Sequence, residues 1–208
     1  MSNASEEMRN RGNHDNFPGF DYPLYVSPMR PHHKPAMIKA LWASHKELRG
    51  WVGWGKYLRS WNLRNINSFL NDHIYPVPPN QHFVFLINNE VVGMGSLIQS
   101  FTPISAQIAL WTTAGYQGKG IGAAIVNTLE DIAWNTWGYL VLWYQCDSQN
   151  EPSKHLAQKC GFKFSHTKNM EKDAENESGY WFSFKKHRPE GLPPGIIQGR
   201  PIEDFTTP

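Results

Sequence analysis

The sequence predicts an α+β domain built on a mixed β-sheet of six to seven strands flanked by about four helices. Three observations predict it. Three strand-like runs, joined by short connections, precede a glycine-rich stretch, Tyr116-Gln117-Gly118-Lys119-Gly120-Ile121-Gly122. An amphipathic run then leads into another strand, the crossover that a parallel pair requires. What remains reads helix, strand, strand. The order is therefore β-α-α-β-β-β-loop-α-β-α-β-β, whereas a doubly wound parallel sheet would alternate strand and helix throughout.

Residues 1–21 are polar, with Gly12, Pro18 and Gly19, and read as an N-terminal extension. The domain spans residues 22–187. Tyr22 to Val26 is an aromatic and β-branched run, a first strand. Past Pro28, Pro31 and Pro35 the apolar spacing turns helical through Met37, Ile38, Leu41, Trp42, His45 and Leu48, and Gly50 is a natural stop. In Trp51-Val52-Gly53-Trp54-Gly55, two tryptophans between glycines read either as core filling between two helices or as an aromatic wall of a cleft. A second helix from about Asn62 to His73 carries Ile66, Phe69 and Leu70 on one side, and Pro76-Val77-Pro78-Pro79 ends it.

His82 to Ile87 and Val91 to Ile98 are two strands joined by the turn Asn88-Asn89-Glu90, a hairpin. Gln107 to Thr113 is the strand that feeds the glycine stretch. The helix after it places Ile121, Ile125, Leu129 and Ile132 on one stripe with Asn127, Glu130 and Asp131 opposite, and Gly138 closes it. Tyr139 to Cys146 is almost wholly apolar, as a central strand covered on both faces would be. Asn150 caps a further helix with Pro152 in its first turn; Leu156, Ala157 and Cys160 face inward, and Gly161 suits the left-handed end. Phe162 to Thr167 and Tyr180 to Lys186 are the last strands, separated by a charged loop. Residues 188–208 hold five prolines and three glycines, a tail that wraps the surface or stays disordered.

The 208 residues, 40% hydrophobic and 13% aromatic, suffice for one sizeable core. A net charge of +2, from 20 basic and 18 acidic side chains, leaves no electrostatic footprint for direct nucleic-acid binding. Two cysteines, Cys146 and Cys160, form no C-x-x-C pair and read as buried apolar residues; the expectation is a reducing, cytoplasmic location. No apolar run is long enough to span a bilayer, and residues 1–16 lack an apolar signal core, so no membrane partner is expected.

The glycine stretch carries the chemistry. Glycines at positions 118, 120 and 122 allow a tight turn and close approach of a ligand. The first amides of the following helix have no partner within it, and with the helix dipole they suit a diphosphate. A P-loop cannot be laid on these residues. A dinucleotide fingerprint fits Gly118, Gly120 and Ala123, yet it needs an early βαβ unit. The third reading is a coenzyme A cradle. Gln117, Gly120 and Gly122 satisfy [QR]-x-x-G-x-[GA], which resembles the acetyl-CoA signature of the GNAT superfamily of N-acetyltransferases. About thirty residues later, Asn150-x-x-Ser153-x-x-Leu156-x-x-Lys159-Cys160-Gly161-Phe162 resembles that superfamily's N-x-x-S-x-x-[LV]-x-x-x-G-F segment. Lys46 to Trp54 also resembles the helix-to-helix linker of the Rim-type branch, which acetylates ribosomal-protein N-termini. The resemblance covers about residues 22–187.

It implies a GNAT-like (acyl-CoA N-acyltransferase) fold and acetyl-CoA as cosubstrate, with no metal. It implies an amine acceptor, either a peptide N-terminus or a small molecule, and leaves a homodimer open. The strand before the loop would splay from the next strand at a bulge. The pantetheine arm would meet the backbone of Leu110 and Thr112, with the Leu110 N–H polarising the thioester carbonyl. The amides of Gln117, Gly118, Lys119, Gly120, Ile121 and Gly122 would hold the diphosphate. Asn150 would meet the pantetheine, and Ser153 would lie by the sulfur and protonate the departing thiolate. The branch often carries a glutamate base where this chain has Gln107, whose amide takes no proton. His73 and His82 are candidates by type alone. The rival reading is a non-catalytic coenzyme-binding sensor or partner module.

Overall fold

The structure, a computed structural model, describes residues 16–48, 51, 62–169 and 179–191, with the backbone of 196–197 and 200–201. In chain order the elements are β1 (Leu24–Pro28), α1 (Lys34–Ala43), α2 (Leu63–Ile74), β2 (Gln81–Ile87), β3 (Glu90–Gln99), β4 (Ser105–Thr112), α3 (Ile121–Asp131), β5 (Val141–Asp147), α4 (Glu151–Lys159), β6 (Lys163–Asn169) and β7 (Tyr180–His187). Seven strands make one sheet in the order β1-β2-β3-β4-β5-β7-β6. The first four form an antiparallel meander, β4 and β5 pair in parallel, and β7 lies antiparallel between β5 and β6. Among the described residues, a mixed sheet with four flanking helices is seen, as predicted.

Each face of the sheet carries its own core. On one, Phe83, Phe85, Ile108, Leu142 and Tyr144 pack with Ile121, Ile125 and Leu129 of α3 and Ala157 of α4. On the other, Val84, Met94 and Trp111 pack with Met37 and Leu41 of α1 and Ile66, Phe69 and Leu70 of α2. Gly93 and Gly95 let α3 settle on β3, because a Cβ on either would stand 2.7 Å from an Ile125 side-chain atom. Burying these apolar surfaces on both faces supplies the main driving force for folding.

Several elements depart from the pattern read in the sequence. The first strand starts two residues later, because pairing runs from Leu24↔Ile87 to Pro28↔Phe83. Helix α1 breaks at Ser44, whose hydroxyl donates to the Ala40 carbonyl (2.8 Å) and accepts from the Ala114 N–H (2.9 Å); a short helical turn, His45–Leu48, follows. Trp51 is 39% exposed and is not core filling; Gly50 and Trp54 lie outside the described residues. Strand β5 buries Leu142, Tyr144, Cys146 and Asp147 and leaves Val141, Trp143 and Gln145 half-buried, so its two faces are not equally covered. Helix α3 ends in a wider turn, Ile132–Thr136, and Gly138 closes it with φ of 70°.

Glu130 is the clearest departure. It was placed on the polar side of α3, yet it is 8% exposed. Lys186 of β7 reaches it at 2.7 Å and also donates to the Cys160 carbonyl at 2.8 Å. A buried carboxylate needs such a partner. In the tail two short backbone segments pair antiparallel, Ile196↔Pro201 and Ile197↔Arg200. The charged loop at 170–178 lies outside the described residues.

Candidate active site

Strands β4 and β5 are paired only from Ser105↔Val141 to Ile108↔Tyr144. Beyond that, β4 continues on β3 as far as Gly93↔Thr112, while β5 continues on β7 as far as Asp147↔Trp181. The sheet therefore opens a gap between residues 109–112 and 145–147. The direction of the β4 main chain follows from the ladder. The Thr113 N–H donates to the Val92 carbonyl, and at the other end the Ser100 N–H donates to the Ser105 carbonyl. Antiparallel pairs alternate, so residues 105, 107, 109, 111 and 113 bond to β3 and the residues between them point the other way. Leu110 and Thr112 thus turn their N–H and C=O toward the gap. The splay was expected at a bulge in β4; instead the β3–β4 register runs unbroken and only the parallel partner departs.

The glycine stretch begins where β4 ends. It is pinned at several points: the Tyr116 N–H donates to the Thr113 carbonyl, the Thr113 hydroxyl to the Val91 carbonyl, and the Tyr116 hydroxyl to Glu90 at 2.7 Å. Glu90 in turn pairs with Lys39 at 2.9 Å. The Lys39 and Tyr116 hydrogen bonds hold the Glu90 carboxyl below its ordinary range. Gly120 is left-handed (φ 84°) and opens α3 without a side-chain cap; the first helical bond runs from Ala124 N–H to its carbonyl. The amides of Ile121, Gly122 and Ala123 precede that bond and lie at the positive end of the helix. Gln117, Gly118, Lys119 and Gly120 are exposed, while the Ile121 side chain is buried in the core. At Gly122 a Cβ would stand 3.0 Å from Leu156 and 3.8 Å from the Thr112 hydroxyl, so its missing side chain keeps the inner end of the gap open.

Helix α4 starts where β5 ends. The Asn150 side chain accepts from the Ser153 N–H at 3.1 Å, an N-cap of the expected kind. The Ser153 hydroxyl lies 2.9 Å from the Tyr144 hydroxyl. Burial pushes the Tyr144 phenol well up and the Cys146 thiol up to about 11, the latter opposed by a hydrogen bond with Ser153. Buried Tyr144 and Cys146 and half-buried Ser153 thus form one polar knot on the α3–α4 face of β5. In the sequence Tyr144 reads as one more residue of an apolar and aromatic strand. Its signal was chemical: a buried phenol needs a partner. Asp147 escapes that reading too. It is the only carboxylate in either β4 or β5, is 2% exposed and accepts from the Gln149 N–H at 2.7 Å.

The two histidine candidates lie elsewhere. The His73 and His82 rings lie tilted against each other with centroids 4.2 Å apart, and His82 Nδ1 lies 2.7 Å from the Ser96 hydroxyl. His82 stands on β2, two strands from β4, which is ~10 Å at ordinary strand spacing. Desolvation lowers both, His82 to about 3 with His73 adding to the shift. Burial holds both neutral. Among the described residues, no group of three His, Cys, Asp or Glu is arranged to hold a metal. No helix among them is long and apolar enough to cross a membrane.

The fold is shared with known structures. The structure resembles RimL, the ribosomal L7/L12 α-N-protein acetyltransferase in complex with coenzyme A, with TM-score 0.70 and 15% identity over 79% of this chain and 94% of that one. It resembles the ribosomal-protein-S5-alanine acetyltransferase from Vibrio fischeri (TM-score 0.63, 16% identity, 82% and 96% covered). It also resembles the spermidine N-acetyltransferase from Vibrio cholerae in complex with CoA and spermine (0.63, 15%, 79% and 95%). At these identities the likeness is one of fold. No curated protein matches the chain. The model of the acetyltransferase (GNAT) family matches residues 36–162, more than half of the chain. The chain belongs to the GNAT acetyltransferase family and is an acetyl-CoA-dependent N-acetyltransferase.

Proposed function

We propose that the acceptor is the α-amino group of a protein N-terminus or a small-molecule amine, and that it attacks the acetyl carbonyl directly while both reactants are bound. The observation that carries this reading is the parting of β4 and β5 beyond Ile108 and Tyr144, with the main chain of Leu110 and Thr112 turned into the gap. A pantetheine arm carries amides that suit such an edge as an added strand would. The start of α3, Gln117 to Gly122, suits its diphosphate, and acetyl-CoA supplies the activated thioester.

The placement supports the following roles. The Leu110 N–H polarises the carbonyl oxygen that gains negative charge as the amine adds. Holding two reactants in line is the main source of rate. The Ser153 hydroxyl donates a proton to the departing thiolate, and Asn150 orients the helix start that carries it. An α-amine, with pKa of about 7.7–8.0, is largely neutral near pH 8, whereas a lysine amine at about 10.4 is not. An N-terminal acceptor therefore needs little help from a base, which suits a strand with Gln107 in place of an acid. The similar folds act on amines of both kinds, ribosomal-protein N-termini and spermidine.

The test is release of free thiol from acetyl-CoA by the pure protein against a panel of peptides and polyamines. Turnover with peptides bearing a free N-terminus, abolished by blocking that terminus, is the expected result. Tight coenzyme binding without turnover on any acceptor would leave a binding module instead.

A further inference from the structure

The glycine stretch has a neighbour from outside the part of the chain that the family model covers. Residues 16–23 precede β1 and lie beside the stretch as a tight turn, in which the Phe17 N–H donates to the Tyr22 carbonyl and the Phe20 N–H to the Phe17 carbonyl. Phe17 and Phe20 touch each other, with centroids 5.8 Å apart. Phe20 stacks on Tyr116 at 5.9 Å and 16°. The Phe17 Cζ lies 3.8 Å from where a Gly120 Cβ would stand. The Lys119 ammonium sits 5.7 Å from the Phe20 ring centre and 5.6 Å from that of Tyr116.

The three glycines point in three directions. Gly122 faces Leu156 and Thr112, the side of the gap; Gly120 faces Phe17; Gly118 faces open space. A diphosphate on this stretch, with its pantetheine arm running inward past Gly122, sends its other end outward past Gly120 and Gly118. There the structure offers two half-buried aromatic rings and an exposed lysine. Flat rings bind a purine face without regard to its edges, and a lysine suits a phosphate monoester beside it.

We propose that Phe17, Phe20 and Lys119 form the site for the 3′-phosphoadenosine end of the coenzyme, so that the N-terminal segment is part of the coenzyme pocket. The proposal rests on the reading of residues 117–122 as a diphosphate cradle. It also accounts for the packing of an aromatic, proline- and glycine-containing segment on this loop: the rings shield one side of the cradle from water and are themselves completed by the ligand.

The test uses the full chain and two ligands in calorimetry. Coenzyme A carries the adenosine; 4′-phosphopantetheine carries the arm and one phosphate without it. Phe17→Ala combined with Phe20→Ala is expected to weaken coenzyme A about tenfold or more and to leave phosphopantetheine unchanged. Phe17→Tyr with Phe20→Tyr is expected to keep both. Unchanged or tighter coenzyme A binding in the alanine variant overturns the proposal, as does an equal loss for both ligands. Absence of coenzyme A binding to the wild-type chain would overturn the cradle itself, and the proposal with it.

Discussion

The Tyr144 hydroxyl and the Ser153 hydroxyl lie 2.9 Å apart, across the junction of β5 and α4. Burial keeps the phenol protonated throughout the working pH range, so Tyr144 has a proton to donate to Ser153. When the phenol donates, the Ser153 hydroxyl is free to give its own proton to a leaving thiolate, as the proposed role requires. Ser153→Ala is therefore expected to lower kcat by about tenfold to a hundredfold, at the low end of general-acid effects because a thiolate leaves readily. The KM for acetyl-CoA should change little. Tyr144→Phe should lower kcat less in the native background and cause no further loss in Ser153→Ala, as two residues acting through one hydroxyl do. Additive losses in that cycle would separate the two.

Gly120 meets two demands at once. Its φ of 84° is the left-handed conformation that a side chain resists, and Phe17 stands 3.8 Å from where that side chain would begin. Gly120→Glu adds a carboxylate beside the amides that open α3. It is expected to weaken coenzyme A by at least about a hundredfold in calorimetry, from like-charge repulsion in the cradle. Undiminished affinity would mean that these amides do not hold the diphosphate.

Local pattern explains how much of this was legible. The hairpin at Asn88-Asn89, both in the left-handed region, the glycine opening of α3 and the Asn150 cap each rest on short-range chemistry. So does the order of elements. What escaped the sequence depends on partners far along the chain. Glu130 reads as a solvated helix residue until β7 brings Lys186 across to it. Tyr144 reads as one more aromatic until α4 sets Ser153 against it. Phe17 and Phe20 read as a loose extension until the turn they form meets Tyr116. The shift of β1 by two residues was invisible for the same reason, since only β2 sets its register.

Lys186 and Glu130 form a partly buried ion pair, with side chains 26% and 11% exposed. Burial raises the Glu130 carboxyl, and Lys186 pulls it back down. Lys186→Met leaves the carboxylate without its partner. The expected cost is ~2–3 kcal/mol at pH 7, below the range for fully buried pairs because the lysine keeps some solvent. The sign with pH follows. A carboxyl raised above its unfolded value favours the protonated fold, so its contribution is present at low pH and lost as pH rises through the folded value. The deficit of Lys186→Met should therefore shrink between pH 7 and pH 5, as Glu130 takes up a proton. Urea midpoints at the two pH values check this, and Glu130→Gln with Lys186→Met should abolish the pH dependence of the deficit.

His82, 9% exposed and held at about 3 by desolvation, is a poor proton acceptor and a good acid trigger. The fold holds it neutral, whereas the unfolded chain protonates it near 6.5. A base lowered on folding contributes stability above its unfolded value and loses it as pH falls toward its folded one. His73, also lowered, acts in the same sense. Stability should thus fall below about pH 6.5 by up to ~1.4 kcal/mol per pH unit for each such histidine. His82→Gln removes one of these groups and with it the ring contact with His73. The variant is expected to be less stable at pH 8 and to show a shallower acid limb, so that the two curves converge as pH falls toward about 5. Urea midpoints from pH 8 to pH 4.5 measure both, and parallel limbs would rule out His82 as the titrating group. Because His82 stands two strands from the gap, kcat for the same variant should stay within about threefold of wild type. A hundredfold fall with unchanged KM would place it in the proton path after all.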